Sequence, residues 1–237
     1  MVSLEKQVVL VVGASSGIGR AAAVLFAGEG ARVMASARRA DRLQSLHEEV
    51  PSIATAVADV SDPAAMDRLA EETRKRLGPI DIVVYSAGTN IKDRAMTRLT
   101  PARWDMMVAT NLNGAFYITQ AVLPEMRERK SGHLIFVSSI SGLLADVSGA
   151  SYQAAKRGVV GLAHAIRVEE KENGIRTCAI CPGLVDTELL ENRPVKPSPE
   201  VLAKAMQPED VAEMIVAVAK LPARVVIPEL QILPTVL

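Results

Sequence analysis

Seven short apolar runs, separated by stretches of helical period, set the strongest limit on how this chain can fold. The runs span residues 7–12, 31–35, 53–58, 81–86, 133–138, 176–181 and 225–227. They are rich in Val and Ile and mostly apolar at consecutive positions, so neither face is suited to water. Such strands belong in a parallel sheet covered by helices on both sides. Between them, Pro63–Leu77 shows a clear helical pattern, with Met66, Leu69, Ala70 and Leu77 on one face. It opens with Ser61-Asp62-Pro63, a cap followed by proline, and stops at Gly78-Pro79. Further helices are expected over 101–129, 151–173 and 208–220. The alternation predicts an α/β fold with right-handed crossovers, as one Rossmann-like doubly wound domain over residues 1–237. Its sheet should be seven-stranded and mostly parallel, with helices on both faces. Ligands of such sheets bind beyond the C-terminal strand ends.

Composition narrows the class. A chain of 237 residues buries a sizeable core without staples. Lys and Arg total 27, as do Asp and Glu, so no charge excess points to nucleic acid or an acidic membrane surface. The apolar runs are strand-sized, far short of a membrane span. The first seven residues carry an acid and no long apolar core, which does not read as a signal peptide, and the expected address is the cytoplasm. Cys178 and Cys181 are spaced Cys-x-x-Cys, but they sit in a run that reads as a buried strand. Two thiols without a nearby histidine pair are too few for zinc, so no metal is expected.

The first strand runs into Gly13-Ala14-Ser15-Ser16-Gly17-Ile18-Gly19, and a helix follows. Glycines allow a tight turn and close approach to a phosphate, and the helix N-terminus offers free N–H groups to a pyrophosphate. The same residues contain Gly13-x-Ser15-x-Gly17, the nucleophile elbow of α/β-hydrolases. That alternative needs a downstream acid and then a histidine. The downstream histidines, His47, His133 and His164, stand mid-helix or at the wrong end of a strand. The second strand ends in Ala37-Arg38-Arg39, with no acid before Asp41. An acid there would take the ribose hydroxyls of NAD, whereas an arginine fork suits the 2′-phosphate of NADP. The strand end therefore favours NADP(H), against the plain reading of a solvated basic turn.

Tyr152 and Lys156 are four residues apart at the start of a helix and share a face. A cation beside a phenol makes it a usable proton donor and acceptor. Ser138 and Ser139 end the fifth strand, and strand alternation makes it improbable that both serve one face. The spacing of 13 residues to Tyr152 favours Ser139. Asn111 stands in Asn111-Leu112-Asn113-Gly114.

With these pieces in order, the chain resembles the short-chain dehydrogenase/reductase family over essentially its whole length. The matching residues are Gly13, Gly17 and Gly19, then Asp59-Val60, Ala87-Gly88, Asn111, Ser139, Tyr152 with Lys156, and Pro182-Gly183 through Thr187. The resemblance implies hydride transfer between NADP(H) and a small carbonyl or alcohol. Tyr152 would be the acid/base and Ser139 would orient the carbonyl. Lys156 would lower the tyrosine pKa and hold the nicotinamide ribose, and Asn111 would place a relay water. Cofactor contacts would come from Gly13, Ser15, Ser16, Gly17, Ile18, Gly19, Arg38, Arg39, Asp59, Val60, Ala87, Gly88, Tyr152, Lys156, Pro182, Gly183, Val185 and Thr187. The resemblance also implies a homo-oligomer, dimer or tetramer, paired through the helices over 101–129 and 151–173.

Two positions depart from the family pattern: Val12 where threonine is usual, and Tyr85-Ser86 where two asparagines are usual. Substrate loops are expected over 89–100, 140–151 and 188–207, the last as a mobile lid. Ile91, Met96, Leu143, Leu144, Leu189 and Leu190 suggest a moderately apolar carbonyl compound, such as a 3-oxoacyl thioester, a 3-hydroxy acid or a general ketone. A cofactor-binding regulator without turnover is the remaining alternative, but it would not need Ser139, Tyr152, Lys156 and Asn111 together.

Overall fold

The computed structural model describes residues 2–236; Met1 and Leu237, the ends of the expected 1–237 domain, lie outside the described residues. Seven strands form one sheet: β1 (Val8–Val12), β2 (Arg32–Ala37), β3 (Ala54–Val57), β4 (Ile82–Tyr85), β5 (Gly132–Val137), β6 (Ile175–Pro182) and β7 (Glu229–Ile232). Their order is β3-β2-β1-β4-β5-β6-β7, and every pairing is parallel, so the mostly parallel expectation becomes a fully parallel one.

The doubly apolar strands do what their sequence requires. Val9 and Val11 of β1 face one core, with α1 (Gly17–Gly28), α2 (Ala40–Glu49) and α8 (Pro208–Ala219). Val8, Leu10 and Val12 face the other, with α3 (Pro63–Leu77), α5 (Gly114–Arg129) and α6 (Ala150–Glu170). Two shorter helices, α4 (Pro101–Val108) and α7 (Pro199–Leu202), complete the set. The same alternation sends Cys178 to one core and Cys181 to the other, both buried as free thiols. Burial pushes their pKa values up to about 12 and about 11, which keeps them unreactive. At α3 the Asp62 side chain accepts from the Ala64 N–H at 3.0 Å. A cap of this kind is worth about 1 kcal/mol.

The seventh strand is a correction. Residues 225–227 lie outside it, and β7 begins at Glu229. Pairing with β6 starts only at Pro228, whose carbonyl accepts from the Ala179 N–H at 2.9 Å; proline itself has no N–H to give. The apolar Val225-Val226-Ile227 attracts the strand reading. The real strand is Glu-Leu-Gln-Ile, the alternating pattern of a partly wet sheet edge. The helical stretch over 101–129 is also not continuous, because a π-helical turn, Ala109–Asn113, divides α4 from α5.

Candidate active site

The chain leaves β1 toward β2 and leaves β4 toward β5, so the loops after these two neighbouring strands diverge and open a cleft. Gly13 stands at the parting with φ +93°, and a Cβ there would collide with Ala87 N and Cα and with Ser86 C. Only glycine fits this approach of backbone to backbone. Its N–H and that of Ala14 donate to Ser36 O at 2.8 and 3.0 Å, which carries the loop toward β2. The following helix, α1, starts without a side-chain cap, leaving its first N–H groups free at the cleft.

Both departures from the family pattern concern packing at this point. Val12 is fully buried. Tyr85 is also buried, and its hydroxyl donates to Thr110 O in the π-helical turn at 2.6 Å. Ser86 lies against Gly19.

The cleft encloses about 560 Å³. Its walls include Gly13, Ser15, Ser16, Gly17, Ile18, Arg38, Arg39, Val60, Ala87, Gly88, Ser139, Tyr152, Lys156, Pro182, Gly183, Val185 and Thr187, all expected from the sequence. Three expected residues, Gly19, Asp59 and Asn111, are not part of this lining. Gly19 packs on Gly13 O, where a Cβ would collide. Asp59 binds Ser61 instead, accepting from its N–H at 2.9 Å and its hydroxyl at 2.7 Å. Burial pushes its pKa up, but the Ser61 bonds and the Arg38 charge outweigh that and hold it low.

Asn111 is fully buried in the π-helical turn. Its Oδ1 accepts from Thr89 N–H at 3.0 Å, and its Nδ2 donates to Thr89 O at 3.0 Å and Met107 O at 2.9 Å. The amide thus ties the π-helical turn both to Thr89 and to the last turn of α4. A Cβ on Gly88 would lie 3.0 Å from Asn111 Oδ1 and 3.4 Å from Lys156 Nζ, so both groups sit just beneath the cleft floor.

Tyr152 and Lys156 are both buried on α6. Lys156 Nζ lies 5.7 Å from the Tyr152 ring centre and donates to Val137 O at 2.9 Å. Burial lowers the Lys156 pKa to about 8. Burial also pushes Tyr152 up to about 12, while the neighbouring Ser139 hydroxyl and the charges of Arg193 and Arg94 pull it down and Asp146 pushes it up. The two serines separate by direction. Ser138 is buried and its hydroxyl donates to Lys156 O at 2.8 Å. Ser139 caps the short helix Ile140–Gly142, accepting from Ser141 N–H at 3.2 Å, and lines the cleft with Tyr152.

At the second strand end, Arg38 is the freer arginine, with 61% of its side chain exposed and Asp59 at 4.0 Å. Arg39 folds onto the glycine loop, donating to Ser15 Oγ at 2.9 Å and Ser16 Oγ at 2.7 Å. It also pairs with Glu188 of the 188–207 segment at 2.7 Å.

The substrate end differs from the apolar pocket expected. Leu189 and Leu190 line it, but Met96 and Leu144 are largely exposed and Leu143 packs into the core. Polar groups take their place: Arg94, Ser141, Asp146, Ser148, Asn192 and Arg193. The apolar loop residues gave no sign of these polar groups. The Asp146-x-Ser148 spacing, an Asx-turn signature, was the available signal. Its Oδ1 accepts from Ser148 N–H at 2.8 Å, and its Oδ2 accepts from the Ser141 hydroxyl at 2.5 Å. No histidine lines the cleft, so the hydrolase alternative has no base there. Among the described residues no group of three or more His, Cys, Asp or Glu is placed to hold a metal, and no helix is long and apolar enough to cross a membrane.

A seven-stranded parallel sheet with this cleft at its switch point is the architecture of a dinucleotide-binding oxidoreductase. The chain belongs to the short-chain dehydrogenase family, whose model matches residues 7–197. Uncharacterized oxidoreductases of Staphylococcus aureus are 33% identical over 236 residues, covering 99% of this chain and all of theirs. Among solved structures it is similar to the closed form of a serine dehydrogenase complexed with NADP+ (33% identity, TM-score 0.87, 95% of this chain and 94% of that one). It is likewise similar to a variant of actinorhodin polyketide ketoreductase with NADPH (30% identity, TM-score 0.89, 99% and 98% coverage). The chain is accordingly an oxidoreductase of this family.

Proposed function

We propose that this chain interconverts a carbonyl compound and a secondary alcohol with NADP(H), using Tyr152 as general acid and base. The observation that carries the reading is the convergence of Tyr152, Ser139 and Lys156 on one cleft wall, with the glycine loop and an uncapped helix N-terminus on the other.

The residues present fit a dinucleotide. Gly13 lets the loop turn tightly against Ala87 at the head of the cleft, and the free N–H groups of α1 beyond it suit a pyrophosphate. Ala37 leaves room beside Arg38 and Arg39 for a ribose phosphate, and the NADP-complexed relatives support that choice over NAD(H). Val60, Ala87, Gly88, Pro182, Gly183, Val185 and Thr187 would line the remainder. When bound, the nicotinamide supplies or accepts the hydride. Tyr152 holds the proton given to the carbonyl oxygen and takes it back in the reverse direction. Ser139 fixes that oxygen, Lys156 supplies positive charge beneath the phenol, and Asn111 anchors the cleft floor next to Lys156.

Residues 1–237 are proposed as one NAD(P)-binding domain acting in the cytoplasm as a homo-oligomer. Of the apolar residues on the helices expected to pair, Val122, Val159, Val160 and Ile166 enter the core, while Phe116 remains exposed. Trp104, Met106 and Val168 are exposed with it, on the helices proposed to pair. Light scattering should give a dimer or tetramer, and a monomer at micromolar concentration would refute the assembly.

The activity is tested with a panel of carbonyl compounds, following nicotinamide absorbance with NADPH and NADH. Turnover with NADPH in preference to NADH is expected. A protein that binds NADPH but reduces none of the panel would favour the regulator alternative.

A further inference from the structure

The charge at the substrate end of the cleft is unbalanced. Arg94, Arg193 and Lys156 line it, and Asp146 is the acid that faces them. The other acid of the cleft, Glu188, is taken by Arg39 and Arg42 at 2.7 and 3.3 Å. Asp146 is itself satisfied, accepting from Ser141 and from the amide and hydroxyl of Ser148. Among the described residues, neither Arg94 nor Arg193 has a carboxylate at ion-pair distance.

Arg94 is not a surface charge that happens to be nearby. Only 8% of it is exposed. Its Nε donates to Ile91 O at 3.1 Å and its Nη2 to Asn192 O at 2.7 Å. A guanidinium carries five N–H donors, so three remain for a ligand. The stem is fixed as well. Gly149 sits against it with φ +93°, and a Cβ at Gly149 would come within 2.6 Å of Arg94 Cβ. Gly149 caps α6 just before Tyr152, so the helix bearing the phenol and the buried arginine are built onto each other. The bond to Asn192 holds the segment that carries Arg193 at the same end of the cleft.

A buried cation left unpaired is expensive, and its natural partner is a charge that arrives with the ligand. We propose that Arg94 and Arg193 form a carboxylate site, and that the substrate is a short oxo acid or the matching hydroxy acid. A planar fork matches a carboxylate through two parallel bonds. Arg94 packs against Gly149, three residues before Tyr152, and holds Asn192 beside Arg193, so the carboxylate must lie only a few bonds from the reacting carbon, which excludes a long acyl thioester as the preferred substrate. The proposal rests on the reading of this cleft as a carbonyl site.

Two measurements test it on the intact protein. In calorimetry with NADP+ present, where a ketone cannot turn over, acetoacetate should bind at least tenfold tighter than neutral acetoacetamide. In the Arg94→Met and Arg193→Gln variants that ratio should fall by about ten- to a hundredfold, the worth of lost charge-assisted bonds. Arg193→Gln guards against a folding defect in the buried Arg94 variant. In turnover with NADPH, kcat/KM for the acid should exceed that for its amide, with the variants raising KM for the acid more than they lower kcat. Equal binding of acid and amide by the parent overturns the carboxylate site, as does an unchanged ratio in both variants. If neutral ketones are reduced while acids are not, the carboxylate site fails and the oxidoreductase reading stands. If nothing is reduced and neither ligand binds, both fail.

Discussion

The two ends of the cleft are made from different materials. The cofactor end is largely backbone: a glycine turn, an uncapped helix start and small residues at the ends of β1, β2 and β4, held by parallel ladders. The substrate end is side chain: Arg94, Ser141, Asp146, Ser148 and Arg193 on three loops, held by hydrogen bonds to one another and to loop carbonyls. Backbone geometry at a strand end is set by the whole sheet, whereas loop side chains are set by a few local bonds. The first end therefore suits a constant cofactor and the second a particular substrate. Tyr152 stands where the two meet.

Substitutions can break this division, and the largest effect should fall at the junction. Ser139→Ala should lower kcat by about a hundred- to ten-thousandfold, because it removes the partner of the reacting oxygen. Ser138→Ala should leave kcat far less affected and instead cost about 1 kcal/mol of stability, since its hydroxyl is spent on Lys156 O. The reverse pattern would exchange the two roles.

Lys156 offers a second probe, because its burial is a stability cost with a defined pH window. Its folded pKa is about 8 and its unfolded value 10.5. Between these values the unfolded chain holds more proton, so stability rises with pH. The cost is present in full below pH 8 and gone above 10.5, a change of about 3 kcal/mol. Tyr152 acts in the opposite sense, with stability falling as pH rises from 10 to about 12. Denaturant midpoints from pH 7 to 10 should rise more steeply in the parent than in Lys156→Met. Parallel curves would mean that Lys156 is not the buried cation described here.

The same contrast governs what the sequence could reveal. The period-two and period-3.6 patterns are imposed by the two cores, so β1 through β6 and α3 were readable, as were the residues at strand ends. The seventh strand was not, because edge strands alternate and a nearby apolar triplet outweighed them in composition alone. Arg94 and Arg193 are separated by nearly a hundred positions and meet only through a bond to Asn192 O. Nothing local in the sequence marks that meeting. The interruption at Ala109–Asn113 was equally hidden, since π winding leaves the apolar spacing nearly intact.

A smaller effect is expected at the cofactor end. Ala37→Asp with Arg38→Leu should shift kcat/KM from NADPH toward NADH by about ten- to a hundredfold, from the loss of one charged contact and the gain of a ribose acceptor. The parent preference should shrink at high salt, since Arg38 is exposed. Arg39 is already engaged with Ser15, Ser16 and Glu188, so Arg39→Leu will sharpen the comparison. A larger effect there than at Arg38 would move the phosphate contact onto the glycine loop. An unchanged ratio in every variant would remove the second strand end from cofactor choice.

The central claim is that Tyr152 moves the proton, and Tyr152→Phe tests it with the loss of one oxygen. NADPH binding, read by fluorescence titration, should stay within about twofold of the parent, because the phenol oxygen is not part of the phosphate cradle. Turnover of a carbonyl that the parent reduces should fall by about a hundred- to ten-thousandfold. A Tyr152→Phe enzyme that binds NADPH normally and reduces the same compound at near the parental rate would contradict the account.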